Sequence, residues 1–89
     1  MKAVITVIGK DTVGILSKVS TACAEAGVNI IEVTQSVMRE LFAMIMLAEI
    51  DNMTVQFDEL SRRLDALGAE NNLKIHVMHE DIFNSMHRI

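Results

Sequence analysis

The sequence predicts a single α+β domain of order β-α-β-β-α-β, a four-stranded antiparallel sheet with two helices on one face. Three observations carry this. The stretches 3–8 and 41–50 are apolar at both parities, as strands covered on both faces are. The stretches 28–38 and 73–78 alternate apolar with polar residues, as half-covered strands do. Between them lie two segments whose apolar residues recur at three- and four-residue spacing, the mark of amphipathic helices.

Ala3-Val4-Ile5-Thr6-Val7-Ile8 reads as the first strand, ended by Gly9. A helix over Val13–Ala26 follows, with Leu16, Val19, Cys23 and Ala26 on one face, Thr12 or Asp11 as its cap, and Gly27 in the left-handed position that ends it. In the second strand, Ile31, Val33 and Val37 point one way and Glu32, Thr34 and Ser36 the other. Arg39-Glu40 makes a two-residue hairpin connection without the Gly or Asn such turns prefer, and Leu41–Ile50 returns as the third strand. Thr54 is the expected cap of a second helix carrying Phe57, Leu60, Leu64 and Leu67, with Gly68 just beyond it. Leu73, Ile75 and Val77 then mark the fourth strand.

Right-handed crossovers place strands one and three in the middle, which agrees with their double apolarity. The result is a ferredoxin-like sandwich over residues 1–79. Residues 80–89 form a short C-terminal helical tail with Ile82, Phe83, Met86 and Ile89 along one side. With both helices on one face, the other exposes either Phe42, Met44 and Met46 or Ala43, Ile45 and Leu47, a patch that calls for a cover. The tail or a second subunit could supply it, and a homodimer involving the tail is expected.

Composition narrows the function. Eighty-nine residues make one domain, too small for separate cofactor and substrate domains. Eight scattered Lys and Arg against twelve Asp and Glu leave a net charge of −4 and no phosphate-tracking stripe, so no nucleic-acid partner is expected. The longest apolar run, Leu41–Ala48, is far short of a membrane span. A lone Cys23 on an apolar helix face and an N-terminus without signal-peptide features lead to the expectation of a reducing, cytoplasmic setting.

The chemistry gathers at Lys10-Asp11-Thr12-Val13-Gly14-Ile15-Leu16. Backbone N–H groups of Thr12 to Ile15 at a helix start, with Gly14 allowing close approach, suit an α-carboxylate. Ionised Asp11 only accepts and suits an ammonium, while Asn29 both donates and accepts. Equally, Asp11 can simply cap the helix and Asn29 occupy the turn after Gly27. These residues resemble the ACT domain family, small regulatory modules of this fold that bind amino acids. Asp11-Thr12-Val13-Gly14-Ile15-Leu16 resembles the family's Asp-x-Pro-Gly-hydrophobic-Leu turn, and Gly27-Val28-Asn29-Ile30 its Gly-hydrophobic-Asn-Ile entry to strand two. The chain is similar to small stand-alone prokaryotic members, related to the ACT domains of the glycine cleavage system repressor and formyltetrahydrofolate deformylase. The resemblance implies that Asp11, Thr12, Val13, Gly14, Ile15, Asn29 and Ile30 bind a small amino acid at a subunit interface. Two departures stand out: Val13 where many members have Pro, and Asp11 where serine-binding members have Asn.

No catalytic set is expected. His76 and His79 have opposite strand parity and cannot share a metal while the strand continues through both. Cys23 lacks an electropositive, exposed setting, and Gly9 and Gly14 are not a dinucleotide fingerprint. No cofactor or metal is therefore expected. The reading is a non-enzymatic regulatory module, with a ligand-free oligomerisation protein that recruits a partner enzyme or regulator as the alternative.

Overall fold

The computed structural model describes residues 1–10 and 14–86. Its elements are β1 (Lys2–Gly9), α1 (Ile15–Glu25), β2 (Asn29–Met38), β3 (Leu41–Glu49), α2 (Phe57–Glu70), β4 (Leu73–His79) and α3 (Glu80–Met86). The sheet runs β2-β3-β1-β4 with every neighbouring pair antiparallel, so the two doubly apolar strands are central as their sequences predict.

Register assigns each residue to a face. Ala3, Ile5 and Val7 of β1 share a side with Phe42, Met44, Met46 and Ala48 of β3 and with Ile75 of β4. All are buried, and they meet Ile15, Val19 and Cys23 of α1 and Leu60 and Leu64 of α2 in one core. The opposite side carries Val4, Thr6 and Ile8, Ala43, Ile45 and Leu47, and Lys74, His76 and Met78; Val4 is buried there, at the end of β1 where α3 packs against β1 and β4. The sequence left two sets of β3 residues as candidates for the uncovered patch; the uncovered set is Ala43, Ile45 and Leu47.

Several local expectations are corrected. Helix α1 begins at Ile15 rather than Val13, and its N-cap position is Gly14 at φ 71°, which offers no side-chain cap. Asp11 and Thr12, the expected caps, lie outside the described residues. Helix α2 starts at Phe57 with Gln56 as N-cap, not Thr54; the Thr54 N–H instead donates to the Ala26 carbonyl at 2.8 Å, tying the loop to the end of α1. Gly68 does not end α2 but is buried inside it, because a Cβ there would stand 2.7 Å from the Leu73 carbonyl oxygen, the distance at which the helix passes β4.

In β2, a bulge at Ile31 shifts the phase, so Ile30 pairs with Ala48 and Val33 with Met46 on the same side of the sheet. Ile30 therefore takes the inward position that simple alternation assigns to Ile31. Gly27 behaves as expected: at φ 75° it closes α1, with Val28 N–H donating to the Cys23 carbonyl at 2.8 Å and Gly27 N–H to that of Ala24 at 3.1 Å. At the β2–β3 turn, Arg39 takes φ 56° in place of a glycine or asparagine.

Candidate functional site

Strand β1 and helix α1 meet at the end of the sheet where Gly9 pairs with Phe42. Gly14 is exposed, and its carbonyl accepts the first helical hydrogen bond from Lys18 N–H at 3.0 Å. A Cβ on Gly14 would meet only the Lys18 side chain at 3.9 Å, so the glycine is required by its backbone angle and leaves open space beside the first turn. Ile15 is buried and anchors that turn in the core. The N–H groups of the first turn have no intrahelical acceptors, which makes this end of α1 attractive to an anion. Of the other loop residues proposed from sequence, Asp11, Thr12 and Val13 lie outside the described residues.

Asn29 lies elsewhere. It is exposed and pairs with Glu49, whereas Gly9 pairs with Phe42, seven residues away along β3. At ~3.3 Å per residue, Asn29 is about 23 Å from the Gly9 end, so one chain cannot bring it and the β1–α1 loop to a common small ligand. Ile30, beside it, is half-buried against the core and serves packing.

What does gather near the loop is the hairpin tip. Lys10, Met38, Arg39, Glu40 and Leu41 line an open pocket of about 420 Å³. Neither Lys10 nor Arg39 has an ion-pair partner among the described residues. Two cations, one carboxylate and two apolar side chains suit a zwitterion with an aliphatic group. Sequence reading passed over Arg39 and Glu40 as turn residues; the signal available was strand alignment, since pairing β1 with β3 necessarily sets Lys10 beside the turn that starts β3.

The remaining reactive side chains are accounted for structurally. His76 pairs with Thr6 and His79 with Ala3 on opposite faces, and His79 stacks on Phe57 with ring centroids 4.3 Å apart. No three His, Cys, Asp or Glu among the described residues could together hold a metal ion. Burial pushes the Cys23 thiol up to about 11, so it is a small apolar side chain at neutral pH. Glu59 accepts from Arg62 at 2.8 Å and Arg63 at 3.0 Å on the outer face of α2, and those hydrogen bonds hold its carboxyl below its usual value. No helix among the described residues is long and apolar enough to cross a membrane.

The model of the ACT domain matches residues 2–78. The chain belongs to the ACT domain family. It is 46% identical to a UPF0237 protein of Listeria innocua over 89 residues, covering 100% of both chains. An ACT domain protein from Streptococcus pneumoniae superposes with a TM-score of 0.82 at 40% identity, covering 93% of each chain. The regulatory subunit of aspartate kinase from Thermus thermophilus, in a ligand-free form, gives a TM-score of 0.64 at 25% identity, covering 86% of this chain and 50% of that one. Structures of a glycine cleavage system repressor and of formyltetrahydrofolate deformylase share the architecture, as the sequence resemblance implies. ACT domains are typically regulatory, bind small ligands and commonly dimerise.

Proposed function

We propose that this ACT domain is a non-enzymatic regulatory module that binds a small amino acid at a subunit interface, in the reducing cytoplasm, with residues 80–89 as a tail appended to a domain of residues 1–79. The carrying observation is the separation of Asn29 from the β1–α1 loop across the length of the sheet. If both act on one ligand, they come from two subunits, and ligand binding then reports on how the subunits are arranged.

In this reading the α-carboxylate lies at the N-terminal end of α1, at Ile15 with Gly14 giving access, and Thr12 contributes to the same site. Asp11 receives the ammonium, Val13 borders the ligand, and Asn29 of the second subunit closes the site, its position held by the packing of Ile30. Lys10 adds positive charge at the carboxylate end.

Thermal unfolding against a panel of the twenty amino acids tests this. A ligand at ~100 times its dissociation constant adds about 2.7 kcal/mol, enough to raise the midpoint visibly. The expected outcome is a selective shift that Asn29→Ala abolishes. A shift untouched by Asn29→Ala removes the two-subunit site, and a flat panel favours a ligand-free oligomerisation module that recruits a partner. The uncovered apolar face of the sheet is the observation that supports this second reading.

A further inference from the structure

The tip of the β2–β3 hairpin carries charges that do not neutralise one another. Lys10, Arg39 and Glu40 line one open pocket of about 420 Å³ together with Met38 and Leu41. None of the three charged side chains has an ion-pair partner among the described residues, although they share a cavity. On α2 the opposite holds, since Glu59 accepts from both Arg62 and Arg63. The volume lies in the range of small-molecule sites, about 300–1,000 Å³.

The backbone adds a second observation. A two-residue hairpin connection favours Gly, Asn or Asp where φ is positive, because a Cβ crowds the left-handed conformation. Arg39 stands at that position with φ 56°, so a residue disfavoured by the turn puts its guanidinium in the pocket wall. Beside it the apolar wall is open to solvent, with Met38 58% and Leu41 40% exposed.

We propose that this pocket binds a zwitterionic aliphatic amino acid, of the size of leucine or methionine, within one chain. Arg39 and Lys10 take the carboxylate, the guanidinium fork matching its two oxygens. Glu40 takes the ammonium, and Met38 and Leu41 pack on the alkyl side chain. The same charges reject near analogues. A 2-oxo acid has no ammonium and leaves Glu40 unmatched, and glycine satisfies the charges but leaves the apolar wall wet. Every group comes from one chain, so this site narrows the ligand class without resting on Asn29 of a second subunit.

Titration calorimetry of the full chain with L-leucine, 4-methyl-2-oxopentanoate and glycine tests it. Leucine is expected to bind once per chain, with the same affinity at low and high protein concentration. The other two are expected to bind weaker by about tenfold or more. Arg39→Gly suits the left-handed backbone and keeps the fold, so circular dichroism is expected to be unchanged while leucine affinity falls by about tenfold or more. Glu40→Gln is expected to bring leucine and the 2-oxo acid to similar affinity, and Asn29→Ala to leave leucine binding as it is. Absence of leucine binding, or binding that survives Arg39→Gly, overturns the hairpin site. A leucine preference that survives Glu40→Gln overturns the recognition of the ammonium by Glu40. An amino acid lost in Asn29→Ala but kept in Arg39→Gly belongs to the two-subunit site instead.

Discussion

Met46 and Ile45 are neighbours in β3 with similar apolar side chains, yet Met46 is fully buried and Ile45 is 44% exposed. The same alternation runs down the whole strand, with Phe42, Met44 and Ala48 on the buried side and Ala43 and Leu47 half-covered on the other. Hydropathy does not separate the two faces. What separates them is that both right-handed crossovers deliver their helices to one side, leaving Ile45 on the second apolar side in solvent while Val4, near α3, is buried there.

Breaking the covered face has the largest expected effect. Met46→Ala removes a fully buried side chain from between the sheet and the helices and is expected to cost about 2–5 kcal/mol, read as a lower denaturant midpoint at unchanged slope. Gly27→Ala comes next. Its Cβ would stand 2.7 Å from the Asn52 carbonyl oxygen on a backbone at φ 75°, with an expected loss of about 1–3 kcal/mol. Gly14→Ala, at φ 71° but facing open space, is expected to lose only about 1 kcal/mol. Equal losses at the two glycines would show that the loop packing at Gly27 contributes nothing.

The covered face also predicts an alkaline limb. Cys23 titrates near 9.0 when exposed and near 11 in the fold, so the folded state holds its proton more tightly. That contribution is complete below pH 9 and is lost as pH rises towards 11. Melting temperature is therefore expected to fall over this range in the wild type, and to fall less in Cys23→Ala. The smallest effect belongs to the open face: Ile45→Thr is expected to change the stability of the dilute monomer by no more than about 0.5 kcal/mol. A large loss there would mean that the face is covered within the chain.

Much of the fold was legible before any coordinates. Double apolarity identified β1 and β3 as central, and the left-handed turn at Gly27 followed from the end of the apolar periodicity. Cys23 was recognisable as a core residue from its helix face. The misjudged positions share a cause. Gly68 looks like a helix stop, but it is selected by the distance of α2 from β4, a tertiary quantity. Ile31 looks inward-facing until a bulge, which has no side-chain signature here, hands that place to Ile30. Thr54 has the chemistry of a cap, yet its backbone is engaged by Ala26.

The candidate site was less legible for the same reason. Asp11–Ile15 and Asn29–Ile30 are close in sequence and frame one strand-helix-strand unit, which suggests one site. The helix between them carries Asn29 to the opposite end of the sheet, while antiparallel pairing brings Arg39 and Glu40, distant in sequence, beside Lys10. By itself the sequence determined the elements, their order, the family and the aliphatic core, because these follow from local periodicity and turn chemistry. Only the tertiary structure decided which apolar face stays open and which polar residues share an end of the sheet, because both depend on register and crossover direction, which no short stretch of chain encodes.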